Sequence, residues 1–475
     1  MYADKKESAL SPFIAASPKD IEEKYRLLTD DEDFQRMVEK VGGWVNIAAT
    51  FVDHDFGINN GDKSYAFAKE SQQLFWDFSQ EGSSSSKRKQ SGVYSSKDFT
   101  IDLSNSLQQS QNESETIVPK FRYKIIMLDT RSNRDNSPST SHQTSDALKG
   151  GDFLGDEQWT WLIEELKSDV DLILLGSSIQ VFPTDKLTEE VWGMFAAARE
   201  RLLSVMLNSR ATNVLVLSGD VHYAEVSKIK CTWKDAVQEN SNESKIRSRT
   251  LWELTSSGLT HTFYQRAHLK SALIENYDSS PAVLEEMTEF LPRLKSFIYN
   301  IYQASFPSHY REQRYGDHFS GLNFGLLDIN IDSVQYDSDD ETLYSNAGLD
   351  GSVNHMACLN NGSVDCIPHK GGIQQVVNSV TFRAVNHLGQ TVIEKNIPLN
   401  ARKENSSAQA EDIVCVPFWG PVPIWRISLM YFMIFTPIVL VFLFPLLLFI
   451  SAAIMFLRSK LESKSKLLSS SKKVS

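Results

Sequence analysis

The sequence predicts an α/β protein that ends in a membrane-spanning helix. Between residues 155 and 259, segments with helical spacing of apolar residues alternate with short apolar runs typical of buried strands. Residues 427–457 contain no charged residue and exceed the roughly 20 apolar residues that a spanning helix needs. We therefore expect a folded α/β body followed by a separate membrane anchor.

Composition excludes several other classes of protein. The chain has 475 residues, 41% of them hydrophobic, which is ample for a packed core and excludes disorder as its overall state. Its net charge is -12, and the body lacks the basic block that binding a nucleic-acid backbone requires, so no nucleic-acid partner is expected. Four Cys without a CxxC pair predict neither a zinc ribbon nor a disulfide scaffold.

The first part of the body reads as mainly helical. Residues 1–76 carry two helical patterns separated by the turn-rich stretch VDHDFGINNGD. Residues 79–119 are rich in Ser, Gln and Asn, which predicts a long loop, with a short hairpin around 92–101. The apolar run YKIIMLDTR, 123–131, predicts a buried parallel strand, and a flexible insert at 132–152 follows it.

The alternating region supplies the rest of the sheet. The predicted order is a helix after Gly155, a strand at 171–181, a helix at 188–208, and strands at 213–222 and 251–259. Ligands of such domains gather at the carboxyl ends of the strands, where this chain carries Asp, His, Ser and Gly. The later predicted elements are a helix at 281–304, a strand at 323–331, and β-rich stretches at 374–385 and 390–398.

The body is expected to span residues 1–399, with a linker at 400–426. The alternative for residues 427–457, a buried core helix, is rarely so long or apolar on every face. Residues 458–475 carry six basic residues and one acidic residue, so the positive-inside rule predicts a cytoplasmic tail and a lumenal or extracellular body. The polar residues 1–26 lack the apolar region of a signal peptide, which leaves two possibilities: a tail-anchored cytosolic body, or a missing N-terminus.

Two clusters carry the chemistry. In SGDVHYAE, 218–225, a strand delivers Asp220 and His222 two residues apart, so that a carboxylate and an imidazole can converge on a metal ion. In TFVDHDFGINNGD, 50–62, Asp53, His54 and Asn59 crowd one turn. The alternative for each is a turn whose polar side chains satisfy their own backbone and bind nothing.

Arg131 and Arg134 follow a predicted strand end, where guanidinium groups can clamp phosphate oxygens bidentately. The alternative is a pair of solvated loop arginines. Gln158 and Trp159 lie on a predicted helix and are expected to serve packing.

Five motifs in order resemble those of PhoD-type alkaline phosphatases of the metallophosphatase superfamily. They are the Asp-His-Asp turn, LDTRSNRD, LGDEQWTWL, SGDVHYAE and TSSGLTHT, and the resemblance extends from Tyr2 to about residue 330. It implies a two-sheet αββα sandwich, a site that holds iron and calcium, and hydrolysis of phosphate esters. Together with the membrane helix predicted at 427–457, this gives a membrane-anchored enzyme, and the expected partners are a phosphate ester substrate and membrane lipid.

The resemblance also implies roles for individual residues. Metal ligands would be Tyr2, Asp53, Asn59, Asp220 and His222, while His54, Arg131 and Arg134 would be catalytic. The chain departs from the family pattern at Val52, where the family has an acid, and a Gly-Asp pair and a Cys ligand would precede residue 1. We therefore expect the first strands to be missing, and the alternative function is a catalytically impaired membrane protein that uses the fold for binding or regulation.

Overall fold

The computed structural model describes most of the body. The described residues are 3–5, 13–103, 120–136, 150–186, 189–235, 246–259, 262, 307–335, 373–400, 410–426, 428–429, 432 and 436. Tyr2, the predicted helix at 281–304 and nearly all of the predicted membrane helix at 427–457 lie outside them. Among the described residues, no helix is both long enough and apolar enough to cross a bilayer.

A large mixed sheet forms the centre of the body. Its strand order is β1-β2-β3-β4-β6-β5-β11, with the short β7 paired to β5. The β2, β3, β4 and β6 strands run parallel, whereas β1, β5 and β11 each pair antiparallel with a neighbour. Its strands are β1 (Ser95–Asp102), β2 (Lys120–Met127), β3 (Leu172–Ser177), β4 (Asn213–Ser218), β5 (Ala224–Asp235), β6 (Ile246–Ser256), β7 (His318–Phe319) and β11 (Ala410–Pro417).

Two helices cover one face of this sheet. Trp159 and Leu162 of one helix, and Leu202 and Met206 of the other, are buried in the same cluster as Ile173 and other residues of the central strands. Every residue of β3 is buried, as expected for a parallel strand covered on both faces. The described helices are α1 (Pro18–Thr29), α2 (Glu32–Lys40), α3 (Asp53–Phe56), α4 (Ala68–Phe78), α5 (Gly155–Glu165) and α6 (Ala196–Leu207).

A second, three-stranded sheet packs on the other face. It contains β8 (Asn323–Gln335), β9 (Ile373–Asn386) and β10 (Thr391–Pro398), in the order β10-β9-β8. Phe382 and Ile393 of this sheet share a buried apolar cluster with Leu174, Leu215 and Leu254 of the main sheet. The predicted α/β class with two sheets is confirmed, and the complete αββα sandwich remains a prediction.

The N-terminal helices have a core of their own. Ile21 and Tyr25 of α1 pack with Phe51, Phe56 and Phe75. Ser17 caps α1 reciprocally with Asp20, and Pro18 occupies the first turn, where its missing N–H costs nothing. This cluster supports the turn that contains Asp53.

The predicted linker before the membrane segment is wrong in part, because residues 410–417 form β11 of the main sheet. They pair with β5, and a disulfide joins Cys231 to Cys415 across the two strands. The absence of a CxxC spacing therefore did not exclude a disulfide, since this bond joins residues 184 positions apart.

Two further boundaries differ from prediction. The predicted helix at 188–208 begins only at Ala196, because Val191 forms a bridge with Gln180 and Trp192 N–H donates to the Gln180 carbonyl. The predicted hairpin at 92–101 is replaced by β1, which pairs with β2 at the edge of the main sheet.

Candidate active site

The turn after residue 52 fixes Asp53 in a buried position. Its carboxylate accepts the backbone N–H groups of His54 and Asn60, each at 2.8 Å. Its own carbonyl accepts from Gly57 and Ile58, and Asn60 adopts a φ of 53° that closes the turn. The side chain is therefore held by the backbone and has no freedom to turn toward solvent.

His54 projects from the same turn and is bound by Asp4. The Nδ1 atom of His54 lies 2.8 Å from Asp4 Oδ1, while Asp4 Oδ2 accepts the backbone N–H of Asn59 at 2.8 Å. The backbone N–H of Ala3 also donates to the His54 carbonyl. Residues 3–5 thus pack against this turn, and Asn59 contributes its backbone to the arrangement.

Arg131 lies at the carboxyl end of β2, in a turn organised by Asp129. The Asp129 carboxylate accepts the backbone N–H groups of Arg131 at 2.8 Å and Val93 at 2.8 Å. Gln158 exchanges two hydrogen bonds with the Asp129 backbone, which gives it the structural role expected from its place on α5. A β-carbon at Gly92 would lie 2.5 Å from Asp129 Oδ2, so this turn requires glycine.

Both predicted phosphate-binding arginines are buried and share one carboxylate. Arg131 donates to Glu190 Oε2 at 2.5 Å, and Arg134 Nε lies 2.5 Å from Glu190 Oε1. Arg131 is fully buried and Arg134 is 1% exposed. This geometry excludes the alternative of solvated loop arginines.

The carboxyl end of β4 brings Asp220 into the same neighbourhood. Asp220 and His222 have φ values of 73° and 60°, a left-handed backbone that non-glycine residues adopt at an energetic cost. The backbone N–H of His222 donates to Ser257 Oγ at 3.2 Å, which links this turn to the end of β6. Such strain is common where a turn must aim side chains at a functional site.

Electrostatic coupling shows that Asp53, Asp220 and Arg131 form one cluster. Burial and the negative charge of Asp53 raise the pKa of Asp220 well above its ordinary value. Burial also favours a higher pKa for Asp53, but the charges of Arg131 and His54 and two backbone N–H donors outweigh it and lower that pKa. With Arg131 as the shared counter-ion, the site therefore disfavours the state in which Asp53 and Asp220 are both ionised.

Arg131 also has donor groups that the described residues leave unsatisfied. Its Nε and one terminal nitrogen are buried and have no hydrogen-bond partner within the part of the chain that the structure describes. The carboxylates of Glu190, Asp53 and Asp220 raise the pKa of Arg131 against the opposing effect of burial, so the group stays cationic. Unpaired buried donors on a fixed cation are suited to an oxyanion ligand.

The described residues provide an incomplete metal site. No group of three or more His, Cys, Asp or Glu side chains within them is arranged to hold a metal ion. Asp53 and Asp220 are oxygen donors suited to hard cations, but both oxygens of Asp53 already accept backbone hydrogen bonds. Tyr2, another predicted ligand, lies outside the described residues.

The structure thus unites Asp53, His54, Arg131, Arg134 and Asp220 at one end of the main sheet. Sequence reasoning missed two residues that hold them, and both are long-range partners. Asp4 binds His54 from 50 residues away, and Glu190 binds Arg131 from 59 residues away. The one sequence signal for Asp4 was its position directly after Tyr2 and Ala3.

The fold and site define an α/β protein with a cluster of buried arginines and carboxylates at one end of its main sheet. The family model of PhoD-like phosphatases matches residues 23–291, more than half of the chain, and the chain belongs to that family. The family acts on phosphate esters, and its members depend on metal ions.

No curated protein matches the chain. One similar solved structure is that of a protein described as "Structure of PhoD". It is 20% identical, its match covers 44% of this chain and 39% of that one, and the TM-score is 0.28. This chain therefore matches well under half of the length of that protein.

Proposed function

We propose that the protein hydrolyses phosphate esters at the site formed by Asp53, His54, Arg131 and Asp220. The observation that carries this proposal is the buried Arg131 guanidinium, two donor nitrogens of which have no partner among the described residues. A buried donor left unsatisfied costs about 1–3 kcal/mol, and a phosphate oxygen would remove that cost.

Arg131 and Arg134 would bind the non-bridging oxygens of the phosphate group. Glu190 fixes Arg131 through a 2.5 Å hydrogen bond, and its other oxygen lies 2.5 Å from Arg134 Nε. Fixed donors in a buried site stabilise charge that develops in the transition state without having to reorganise. This arrangement favours phosphoryl chemistry over simple anion storage, because the potential acid–base group His54 shares a turn with Asp53, whose charge acts on Arg131.

His54 would supply the proton for the leaving alkoxide. Asp4 accepts at Nδ1, so the doubly protonated ring holds its second proton at Nε2, where a leaving group can take it. Asp4 keeps the ring in this orientation through one carboxylate oxygen while its other oxygen is bound to the Asn59 N–H. Because Asp4 is buried, the ring position is fixed by the fold.

Metal ligation is proposed for Asp53, Asp220 and His222, together with Tyr2 and Asn59. Asp53 and Asp220 repel one another, and a bound cation would relieve that repulsion. The described donors do not complete a metal site. Iron and calcium rest on the family resemblance alone, and no catalytic step is assigned to them.

A single-pass membrane location, with a lumenal or extracellular body, is also proposed. It rests on the uncharged residues 427–457 and the basic tail 458–475. The disulfide between Cys231 and Cys415 supports it, because such bonds persist mainly in oxidising compartments.

The incomplete metal site favours a second candidate function. A membrane protein with the same arginines but without a full metal centre would bind phosphorylated ligands and not turn them over. It would be the catalytically impaired relative that the departure at Val52 also suggests.

Inorganic phosphate tests the oxyanion site under both candidates. In titration calorimetry of the full-length protein, replacing Arg131 by Lys should weaken phosphate binding about tenfold or more, because Lys lacks the planar fork. Arg122→Lys is the matched control, since Arg122 lies on β2, the strand that leads to Arg131, is only partly buried and pairs with Asp169. Equal phosphate affinity in Arg131→Lys and wild type would remove Arg131 from the site.

A further inference from the structure

The chain leaving β11 is fastened to the body up to residue 426. The Trp419 backbone N–H donates to the His309 carbonyl at 3.1 Å, and its indole N–H donates to the Arg311 carbonyl at 2.8 Å. Arg426 donates from its guanidinium to the Pro307 carbonyl. Both ends of 419–426 therefore lie on the same short loop, 307–311.

This fastened segment carries large exposed apolar side chains. Phe418 is 40% exposed, Trp419 47% and Trp425 66%. Two cations accompany them: Lys228 Nζ lies 4.7 Å from the centre of the Phe418 ring, and the Arg314 guanidinium lies 4.7 Å from that of Trp419. We call these five residues the aromatic–basic patch.

The anchor helix of the proposed function determines what can cover this patch. Residues 427–457 begin directly after Arg426, which is itself bound to loop 307–311. A chain that enters a bilayer at residue 427 has no slack there, so the loop and the patch must lie at the bilayer surface. The Cys231–Cys415 disulfide and the β5–β11 pairing prevent the segment from peeling away.

We propose that the aromatic–basic patch rests in the headgroup layer of the bilayer that residues 427–457 enter. The inference rests on the membrane anchor of the proposed function and adds a fixed contact between the body and the bilayer surface. Trp is enriched at membrane–water interfaces, and Lys and Arg side chains donate charge-assisted hydrogen bonds to phosphate groups such as those of lipid headgroups. The partner is a lipid surface, and the body contacts it directly, with no flexible linker between the body and the membrane helix.

Photocrosslinking in the full-length protein tests this contact between the aromatic–basic patch and the bilayer. The protein is reconstituted into vesicles of phosphatidylcholine and phosphatidylserine that carry a traceable lipid. The photoreactive residue p-benzoylphenylalanine replaces Phe418 in the patch, or Phe432 beyond Arg426. Phe432 is 64% exposed and reports whether the apolar segment enters the bilayer.

Val45 provides the matched control position. It is 74% exposed, more than Phe418, so poor access cannot explain an absence of lipid labelling there. Its carbonyl accepts from Lys97 of β1, which places it at the opposite edge of the main sheet from β11. At about 4.8 Å per strand, the two edges are separated by roughly 29 Å.

The expected result is lipid adducts from positions 432 and 418, with about tenfold less from position 45, as an interfacial location of Phe418 requires. Labelling at 432 with only background labelling at 418 would contradict the proposed contact between the patch and the bilayer, but not the proposed membrane anchor. Background labelling at both positions would contradict the proposed membrane anchor and, with it, the proposed contact between the patch and the bilayer. Crosslinks from 418 to a second copy or to another protein, in place of lipid, would also overturn the proposal.

Discussion

His54 and Asp4 form a partly buried pair in which the imidazole Nδ1 lies 2.8 Å from a carboxylate oxygen. Residues 3–5 and the turn at 53–59 are held together by this contact and by backbone hydrogen bonds from Ala3 and Asn59. The position of the proposed general acid therefore depends on a segment far away in sequence. If the account is right, altering Asp4 impairs proton transfer while the phosphate-binding arginines stay in place.

Asp4→Asn should slow hydrolysis of alkyl phosphates more than that of nitrophenyl phosphate. A nitrophenolate leaves without help, whereas an alkoxide needs the proton that His54 holds, and general acid catalysis contributes roughly 10²–10⁴-fold. Steady-state kinetics with the two substrates measure the difference as a change in kcat, with KM little affected. Asp31→Asn, at the exposed cap of α2, serves as control. An equal loss for both substrates would show that Asp4 has only a structural role.

Glu190→Gln should raise KM and weaken inhibition by inorganic phosphate. Both arginines lie against the Glu190 carboxylate, and a neutral amide fixes them less well. The variant also leaves buried positive charge less compensated, so a loss of stability of up to about 3–5 kcal/mol is expected. Thermal melts and inhibition kinetics are compared with Glu164→Gln, an exposed glutamate paired with Lys167. An unchanged phosphate inhibition constant would contradict the positioning role.

Asp220→Asn should lower the metal content of the purified protein and abolish chelator-sensitive turnover of an aryl phosphate. Burial and the negative charge of Asp53 raise the pKa of Asp220, so a bound cation would stabilise its ionised form. Elemental analysis measures bound metal directly, with Asp328→Asn in the second sheet as control. Retained metal together with retained chelator-sensitive activity would remove Asp220 from the ligand set.

Glu253 should make the protein less stable as the pH rises from about 4.5 to about 7. Burial raises its pKa from 4.5 to about 7, against the lowering effect of backbone N–H groups of Val181 and Phe182. The folded state then binds more protons than the unfolded state, so the free energy of unfolding falls through this range by about 3 kcal/mol and levels off above it. Urea denaturation of wild type and Glu253→Gln at pH 5 and pH 8 isolates this contribution. The same pH dependence in both proteins would contradict it.

Breaking the disulfide should destabilise the edge of the main sheet. Cys231 and Cys415 are separated by 184 positions in the sequence, and chain-entropy arguments assign a bond that closes such a loop about 5 kcal/mol. Denaturation midpoints with and without reductant measure the effect in wild type. The double variant Cys231→Ser with Cys415→Ser should be insensitive to reductant. A wild-type midpoint that does not change on reduction would argue that the strand pairing alone holds β11.

The central strands and α5 could be predicted because their signals are local. Strand β3 is apolar throughout, and Trp159 and Leu162 repeat at helical spacing. By contrast, the predicted helix through Glu190 was overridden by a tertiary contact, the pairing of Val191 with Gln180. Local periodicity contains no record of that contact.

Several residues of the candidate site could be predicted from the sequence, but the residues that hold them in position could not. Asp220 and Arg131 could be found because polar residues at strand ends are typical of ligand sites in α/β proteins. Asp53 could be found because Asp, His and Asn residues crowd its turn. Asp4 and Glu190 act through partners 50 and 59 residues away, and no spacing rule reveals such pairs. The Cys231–Cys415 bond was missed for the same reason, since it follows from the β5–β11 register.

Turnover of an aryl phosphate by the purified full-length protein tests the central claim most directly. Wild type and Arg122→Lys should hydrolyse it at similar rates, while Arg131→Lys should lose about 10²-fold or more in kcat/KM, because the fixed guanidinium stabilises charge on the transferring group. No turnover by wild type, or equal turnover by Arg131→Lys, would contradict the assignment of this site to phosphate ester hydrolysis.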